Sequence, residues 1–389
     1  MCIRNCASAI KTARCQTVTK IRVFRFLLIV FAFLLAACAK PPQMQVEFAL
    51  GTICEINLFE GGNDQLYSRI FARINEIDRT MSAFSGEYQD IGGGIASNAL
   101  VDPGSREAAA IQSVTEALVS GVVAINENAG VEPVKVRADL IHVLERALHY
   151  AELSDGAFDP TVGPLVRLWG IGSEKQRIPY NDEIEAALDL VGWRDLVIDR
   201  EAGTAFLRRK GMALDLGAIA KGYAADEAVR LAGEGKVKRA IINLGGNIVA
   251  MGWRDSKKSL PWRIGVQDPL HERGSYIGVL MVNDASVVTS GVYERFFEEG
   301  GRRYHHLLST ADGYPVDNGL SSVTIITEKS IEADALSTVA FTLGFEKGSE
   351  IINSIPGIEA VFVFHDGRVH VTGNRGEFFK LTNDDFVIF

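Results

Sequence analysis

Apolar residues recur every three or four positions in several segments of the chain, which is the spacing of one face of an α-helix. The pattern is clearest over residues 138–153, where it predicts an amphipathic helix that ends at a group of turn residues. It predicts further helices over residues 65–84, 108–125, 181–190 (with Asn181 or Asp182 as the N-cap), 222–235 and 331–343.

Other segments alternate apolar and polar residues, which is typical of strands. Residues 47–60 predict one strand and residues 239–252 a longer stretch of strand. Residues 360–373 predict a β-hairpin that turns at Asp366 and Gly367. The helices and strands do not follow a regular strand–helix–strand rhythm. The predicted fold class is therefore α+β, with mixed sheets and packed helices, rather than a doubly wound parallel sheet.

The start of the chain differs from the rest. Residues 1–37 hold six basic and no acidic side chains and end in the apolar run "FLLIVFAFLLAA", which is followed by Cys38. These features are typical of a secretory signal, and the run is too short to span a bilayer comfortably. The "LAAC" ending resembles a bacterial lipobox. We therefore expect a signal peptide over 1–37, a lipidated Cys38 that opens a tether over 38–45, and a folded domain over 46–389. The alternative is an ordinary signal peptide or an uncleaved anchor.

The chain is acidic. Its formal net charge is −9, and removal of residues 1–37 would make it −15. This balance argues against nucleic acid as a ligand, and an anionic ligand would need a cation within its own site. Cys54 would then be the one free cysteine if Cys38 is acylated, which excludes an internal disulfide. Its place in an alternating segment predicts a buried structural thiol.

Two glycine-containing segments carry candidate chemistry. The first, "DGAFDPTVGPLVRLWGIG" (155–172), is typical of a connecting loop and only weakly indicates a site. In the second, "LDLGAIAKGYAADEAV" (214–229), Asp215 and Lys221 flank a predicted helix start, where backbone N–H groups and an ammonium suit a phosphate. The alternative is that Asp215 only caps the helix and that Lys221 is solvated. The sequence lacks the G-x-G-x-x-G pattern of a Rossmann fold.

Asp334 and Thr338 lie one helical turn apart on the same face of an apolar segment. A buried carboxylate needs a partner, and a carboxylate beside a hydroxyl suits a hard cation such as Mg²⁺. The alternative is that Asp334 caps a helix or pairs with an arginine. His305 and His306 are adjacent, so in a strand they face opposite sides and only one can enter a site. The sequence lacks H-x-x-x-H, C-x-x-C and G-x-S-x-G patterns, which argues against a zinc protein and an α/β-hydrolase.

Taken in order, these segments resemble the signatures of the FAD:protein FMN transferase family, the ApbE flavin transferases. The resemblance covers residues 46–376. The matching stretches are "MSAFS" (81–85), "SDGAFDPTVGPLVRLWGIG" (154–172), "DLGAIAKGYAADEA" (215–228), "INLGGNI" (242–248), "TSGVYERFF" (289–297), "GYPVDNGLSSVT" (313–324) and "ADALSTVAFTLG" (333–344).

The resemblance implies a two-lobed α+β domain with its active site in the cleft, and a lipoprotein of the bacterial cell envelope that faces the periplasm. It implies that FAD is split, that FMN is attached to a threonine or serine hydroxyl of a partner protein by a phosphoester bond, and that AMP leaves. The family's acceptors include subunits of the sodium-pumping quinone reductase and of Rnf-type complexes. The alternatives are an FAD pyrophosphatase that releases FMN and AMP, and an FAD-binding lipoprotein without turnover.

The resemblance also assigns residues. It makes His306 the candidate base for the acceptor hydroxyl. It gives Mg²⁺ the side chains of Asp334 and Thr338 and the backbone carbonyl of Ala218, with Ser337 as a weaker candidate. The FAD contacts that it predicts are Leu50, Phe84, Asn126, Ala157, Phe158, Asp159, Asp215, Lys221 and Leu308.

The sequence departs from the family pattern in three places. An insertion near 87–121 separates "MSAFS" from its usual continuation, which we identify with "INENAG" at 125–130. This insertion is predicted to be a lid, a partner-docking loop or a peripheral bulge. Ser309 and Thr310 stand where aspartate and proline are usual, which alters a loop beside His306. Val292 replaces a common aspartate.

Overall fold

The computed structural model describes residues 44–83, 121–373 and 378–389. The predicted signal peptide, the lipidated Cys38 and nearly all of the predicted insertion lie outside these residues. So does Phe84, one of the predicted FAD contacts. Within the described part, no helix has the length and apolar character needed to cross a membrane.

The described residues form seven α-helices and a larger number of strands. The helices are α1 (Asp64–Met81), α2 (Val122–Glu127), α3 (Ala138–Leu153), α4 (Gly163–Trp169), α5 (Asn181–Leu188), α6 (Ala220–Glu234) and α7 (Ser330–Ser354). The strands are β1 (Gln45–Ala49), β2 (Thr52–Leu58), β3 (Val134–Lys135), β4 (Leu196–Asp199), β5 (Thr204–Leu207), β6 (Ala240–Leu244), β7 (Asn247–Met251), β8 (Trp262–Gln267), β9 (Tyr276–Val282), β10 (Ala285–Gly291), β11 (Phe296–Glu299), β12 (Arg302–His305), β13 (Leu320–Thr327), β14 (Glu359–Phe364), β15 (Arg368–Val371), β16 (Phe379–Leu381) and β17 (Val387–Ile388).

One nine-stranded sheet organises the fold, in the order β1-β2-β6-β7-β10-β13-β14-β15-β17. Its neighbouring strands are antiparallel except for β15 and β17, which are parallel. All eight residues of β13 are buried, because both faces of the sheet are covered at that point. The mixture of a largely antiparallel sheet with packed helices confirms the predicted α+β class.

One face of the large sheet packs against the helices. β2 directs Cys54, Ile56 and Leu58 into this core, and α1 contributes the stripe that includes Ile70 and Ile74; all five side chains are fully buried. The apolar spacing predicted an amphipathic helix here, and the structure confirms it, since one apolar face of α1 packs against the sheet. Cys54 is a free, buried thiol, as predicted.

The other face of the large sheet packs against a small sheet of order β16-β9-β8. A third apolar cluster lies apart from both faces and joins α4 and α5 to the β11–β12 hairpin. At its centre the indole of Trp169 stacks on Tyr304 with 5.7 Å between ring centroids, and its N–H donates to the Gly313 carbonyl at 2.8 Å. This cluster fixes α4, which supplies apolar side chains to the cavity described below.

Four local predictions need correction. Residues 239–252 are not one strand, because Gly245 and Gly246, with φ values of 61° and 102°, turn the chain between β6 and β7. Residues 47–60 are not one strand, because Leu50 and Gly51 adopt left-handed φ values of 55° and 67° and turn the chain between β1 and β2. Neither Asn181 nor Asp182 is the N-cap of α5; Tyr180 precedes the helix, and its N–H donates to the Glu183 carboxylate at 2.8 Å. The helix predicted over 331–343 continues to Ser354, past a non-helical Gly344.

Helices α6 and α7 cross so closely that the contact requires a glycine, Gly222, in α6. A Cβ on Gly222 would lie 2.3 Å from the Ser330 carbonyl oxygen and 2.7 Å from the Cα of Ile331. At this distance each helix accepts hydrogen bonds from backbone N–H groups of the other. Asp226 of α6 accepts the N–H groups of Ser330 and Ile331 at 2.8 and 3.0 Å, while Asp334 of α7 accepts the Gly222 N–H at 2.9 Å. Each helix start, whose first N–H groups lack intrahelical partners, is thus capped by a carboxylate from the other helix.

We predict that Gly222→Ala destabilises the protein by about 1–3 kcal/mol, because the added methyl group would collide with backbone atoms that cannot rotate away. Gly233→Ala, in the same helix, is the matched control, since a Cβ there meets no atom within 4 Å. We expect the control to be neutral or stabilising by up to about 1 kcal/mol. Urea unfolding of both variants measures the difference, and equal stabilities would contradict the close-crossing account.

Candidate active site

A single cleft brings together most of the residues singled out in the sequence. It has a volume of about 300 Å³, within the range of small-molecule sites. Its walls come from the β1–β2 turn, the 155–172 segment, the start of α6, the ends of β7 and β10, the segment after β12, and α7. The predicted site residues that line it are Leu50, Ala157, Phe158, Asp159, Asp215, Ala218, Lys221, His306, Leu308, Asp334 and Thr338.

Asp334 and Lys221 form the charged centre of the cleft. The Asp334 side chain is 5% exposed, and its Oδ1 atom lies 3.5 Å from the Lys221 ammonium. The other carboxylate oxygen accepts the Gly222 N–H, and the ammonium donates to the Gly217 carbonyl at 2.8 Å. Of the two alternatives, the structure does not have the arginine partner but does have the cap, since Asp334 accepts an N–H of the first turn of α6. Asp334 is held by a backbone N–H and faces a lysine, with both groups on the wall of a cavity.

The oxygen donors predicted for a metal ion converge on the same place. In a regular helix start, the Gly222 N–H would bond the carbonyl four residues earlier, that of Ala218. It bonds Asp334 instead, so the Ala218 carbonyl is left available to the cavity. The Thr338 hydroxyl also lines the cavity and lies 3.3 Å from Ser290 Oγ. A carboxylate, a hydroxyl and a free carbonyl are hard oxygen ligands, and they fit Mg²⁺ with several positions left for water or phosphate.

Ser337 differs from Thr338. It is fully buried, its hydroxyl donates to the Asp334 carbonyl at 2.9 Å, and it lies 2.8 Å from Ser290 Oγ. It is not one of the residues that line the cavity. Its hydroxyl therefore braces Ser290 and the backbone of α7, and its weaker metal assignment remains a prediction. No group of three or more His, Cys, Asp or Glu side chains within the described residues is placed to hold a metal ion, so a cation here would depend on mixed ligands.

Asp215 is not the cap of α6. The helix begins at Ala220, while the Asp215 carboxylate accepts the Gly217 N–H at 2.8 Å and so folds the loop before the helix. The Asp215 N–H donates to the Pro160 carbonyl at 2.9 Å, which ties this loop to the 155–172 segment. Asp215 therefore lines the cavity from a loop that two hydrogen bonds hold in place.

Asp159 shapes the opposite loop. One of its oxygens accepts the N–H and the hydroxyl of Thr161, both at 2.7 Å, and the other accepts the Trp193 N–H at 2.9 Å. Burial raises the pKa of this carboxyl, and the three donors act in the other direction. With both oxygens engaged, Asp159 holds the loop that presents Ala157 and Phe158 to the cavity. Thr310, one of the departures from the family pattern, donates to the Gly156 carbonyl at 2.7 Å and secures the same loop.

Asn126 does not lie in the site but contacts Leu214, the residue before Asp215. Its side-chain oxygen accepts the Leu214 N–H at 2.6 Å and its amide donates to the Leu214 carbonyl at 3.1 Å. It does not line the cavity. Its amide therefore positions the backbone that leads into Asp215, and a direct contact with FAD remains a prediction.

The two histidines divide as the strand geometry predicted. His305 is buried, with Nε2 at 2.9 Å from the Val316 carbonyl and Nδ1 accepting the Leu307 N–H at 3.3 Å. His306 lines the cavity instead, and its Nδ1 lies 3.2 Å from the Arg295 carbonyl. A carbonyl can only accept, so Nδ1 carries the proton and Nε2 presents a lone pair. Desolvation, with the Arg295 charge as a second cause, lowers the pKa of His306, which keeps the ring neutral at pH 7.

Several lining residues were not predicted, namely Arg273, Glu294, Arg295, Asn247 and Ser290. Arg273 pairs with Glu294 at 2.8 Å. Glu294 and Arg295 belong to the "TSGVYERFF" segment and Asn247 to "INLGGNI", so the segments were identified but not the side chains that reach the cavity. The type and spacing of residues within a motif do not reveal which ones face a cleft built from other elements.

The fold is that of ApbE flavin transferases of known structure. The ApbE protein of Thermotoga maritima is similar, at 31% identity and a TM-score of 0.67, over 84% of this chain and 96% of that one. The flavin transferase ApbE from Vibrio cholerae, at 23% identity and a TM-score of 0.66 over 87% and 95% of the two chains, shares the fold. The chain belongs to the ApbE family, whose model matches residues 106–362.

Among the relatives that carry the name FAD:protein FMN transferase are two bacterial proteins with about 40% identity to this chain. The Treponema pallidum (strain Nichols) protein is 39% identical over 281 residues, which are 69% of this chain and 77% of the relative. The Klebsiella pneumoniae (strain 342) protein is 41% identical over 244 residues, 63% and 75% of the two chains. These findings confirm the family that the sequence motifs indicated.

The buried His305 also makes the stability of the protein depend on pH. Burial lowers the pKa of His305 to about 4, whereas an unfolded histidine titrates near 6.5. Between these values the unfolded chain binds more protons than the folded one, so stability falls as the pH falls. We expect His305→Gln to remove about 1–2 kcal/mol of the stability lost between pH 7 and pH 5. Urea unfolding at both pH values measures it, with His142→Gln at an exposed position as the control. The same loss in both variants would contradict this prediction.

Proposed function

We propose that this chain is a Mg²⁺-dependent FAD:protein FMN transferase, which attaches FMN to a threonine or serine hydroxyl of a partner protein and releases AMP. One observation carries the proposal. Asp334 and Lys221 lie 3.5 Å apart on the wall of a cleft that His306 and Thr338 also line. The chain's membership of the ApbE family and the names of its relatives support the same reaction.

The charge of the protein makes a local cation necessary. With a net charge of −9, the protein repels a diphosphate at long range, and FAD carries one. Lys221 supplies a positive charge at the centre of the cleft, and its ammonium is fixed by the Gly217 carbonyl. Asp334, Thr338 and the Ala218 carbonyl would hold Mg²⁺. When bound, that ion neutralises phosphate charge and polarises the phosphoryl group.

The transfer step needs a nucleophile, a leaving group and a proton acceptor. The acceptor hydroxyl oxygen forms a bond to the phosphorus on the FMN side of the diphosphate, and the bond from that phosphorus to the bridging oxygen breaks. AMP leaves with the bridging oxygen. His306 accepts the hydroxyl proton on Nε2, because the Arg295 carbonyl holds the ring with its proton on Nδ1. The cleft supplies alignment, which is the main contribution of a protein to phosphoryl transfer.

The apolar lining gives the rest of the substrate a binding surface. Phe158, Val162, Val166, Trp169 and Leu308 line the same cleft as the charged groups. Such a surface suits a ring system of FAD, and a ring bound there would keep water from the reacting phosphorus. Exclusion of water favours transfer to a protein hydroxyl over hydrolysis to FMN and AMP. This is the physical reason to place the transferase ahead of the pyrophosphatase.

The location and the partner belong to the same proposal. A lipidated Cys38 would tether the enzyme to the bacterial cell envelope on the periplasmic side. The acceptor would then be a membrane-associated subunit that exposes a threonine or serine, as in sodium-pumping quinone reductase or Rnf-type complexes. Both statements follow from the sequence motifs and the family.

The test is a reaction of the purified chain with FAD, Mg²⁺ and a subunit of a sodium-pumping quinone reductase. We expect AMP release together with in-gel flavin fluorescence of the acceptor. Asp334→Asn should lower the rate at least about 100-fold, since it removes the buried negative charge that would hold the cation. His306→Gln should bind FAD as well as the unchanged enzyme does but transfer FMN about 100- to 10,000-fold more slowly.

Asp182→Asn, at an exposed position in the first turn of α5, is the matched control and should leave the rate unchanged. AMP release without a fluorescent acceptor would favour the pyrophosphatase. Bound FAD that is never cleaved would leave only the binding-protein alternative. Either result would contradict the proposed transferase.

A further inference from the structure

Asn247 is a buried polar residue of the cleft that the reaction described above does not use. It opens β7, its side chain is 3% exposed, and it lines the cavity. Its Nδ2 atom is shielded from solvent and has no hydrogen-bond partner within the described residues. A buried donor without a partner costs free energy, so native structures rarely keep one for packing alone.

Several other polar side chains around the cavity have partners. Thr289 and Thr324 share a hydrogen bond at 2.8 Å, Ser290 bonds Ser337, and Asp159 has three donors. Among the described residues that line the cavity, Asn247 alone has a side-chain atom that is both shielded from solvent and without a partner. The missing partner is one that the substrate can supply.

The position of Asn247 is fixed by the turn before it. Gly245 and Gly246 form the β6–β7 turn with φ values of 61° and 102°, and Gly245 approaches Thr52 so closely that a Cβ there would lie 2.2 Å from the Thr52 hydroxyl. The Gly245 N–H donates to the Ile53 carbonyl at 3.2 Å. This turn therefore lies against the β1–β2 turn, which presents Leu50 to the same cavity.

Leu50 is itself held in an unusual conformation. Its φ is 55°, and its N–H donates to the Asp78 carboxylate at 2.8 Å. A leucine held in the left-handed region is strained, and such strain is common at sites that contact ligands. Asn247 and Leu50 together offer an amide and an apolar side chain from two adjoining turns. That combination matches the rim of a flat heterocycle, which has polar edges and an apolar face.

We propose that the Asn247 amide hydrogen-bonds the polar edge of one of the two ring systems of FAD, the isoalloxazine or the adenine. The inference rests on the proposed function, since it takes FAD as the substrate. An amide carries a donor and an acceptor side by side, and both rings present a matching N–H or amino group beside an acceptor. The diphosphate has a different partner, because the ammonium in the cleft belongs to Lys221 and lies beside Asp334. Asn247 is thus a binding residue for a ring and sets which nucleotide the cleft selects.

The experiment titrates the full chain and its variants with FAD, FMN and ADP, each with Mg²⁺, and measures dissociation constants by calorimetry. Asn247→Leu removes both polar atoms with little change of volume. Asn57→Leu is the matched control, because Asn57 also carries a buried side-chain atom without a partner in the described part but does not line the cavity. Thermal unfolding of the ligand-free proteins serves as the folding control.

We expect Asn247→Leu to weaken FAD binding by at least about threefold, the usual effect of one neutral hydrogen bond, without lowering the unfolding temperature. A parallel loss for FMN but not ADP assigns the isoalloxazine edge, and a parallel loss for ADP but not FMN assigns the adenine edge. Unchanged FAD affinity, an equal loss in Asn57→Leu, or an equal loss for all three ligands would overturn the inference. Failure of the unchanged protein to bind FAD would instead overturn the proposed function.

Discussion

The site depends on reciprocal hydrogen bonds between α6 and α7, in which a carboxylate of each helix accepts backbone N–H groups of the other. Asp226 of α6 binds the first N–H groups of α7, and Asp334 of α7 binds the Gly222 N–H of α6. Gly222 lets the two helices approach closely enough for its N–H to reach the buried Asp334 carboxylate. Without such a donor, burial of this carboxylate would cost free energy. The same bond takes the Gly222 N–H away from the Ala218 carbonyl. One contact therefore positions two of the predicted metal ligands at once.

The rest of the cleft is assembled by loops that are tied to one another. Asp215 is joined to Pro160, Asp159 holds the turn at Thr161, and Thr310 reaches across to Gly156. The bonds of Asp215 and Thr310 join segments that are distant in the chain, and the Asp159 bond shapes its own loop. They give a loop-built site the fixed geometry that phosphoryl transfer requires. Asn126, bound to the backbone of Leu214, extends this support beneath Asp215.

Periodicity predicted the elements whose structure is local. The amphipathic pattern gave α3 its observed bounds, and strand alternation correctly sent only one of His305 and His306 into the cleft. The patterns failed where a distant residue decides the conformation. The turn at Leu50 was missed because Asp78, 28 residues away, holds its N–H. The partner of Asp334 could not be predicted either, since a backbone N–H on a crossing helix leaves no trace in residue type.

The resemblance to family motifs located parts of the site that periodicity could not, but it too could not show which contacts distant residues make. The stretches that it matched supply most of the described residues that line the cleft. It also assigned Asn126 to FAD, a contact that remains a prediction, whereas the observed bonds of its amide are to the backbone of Leu214. It did not single out Asn247, because a buried amide without a partner becomes visible only once its surroundings are known.

In the proposed function, the α6–α7 crossing builds a joint site for a cation and a diphosphate. The most direct measurement is calorimetric titration of ADP into the protein with and without Mg²⁺, for the unchanged chain and for Asp334→Asn. We predict that Mg²⁺ tightens ADP binding at least about tenfold in the unchanged chain and has little effect in the variant, because coupling between two ligands needs a shared site. Equal ADP affinity with and without Mg²⁺ in the unchanged chain, or coupling that survives in the variant, would contradict the account.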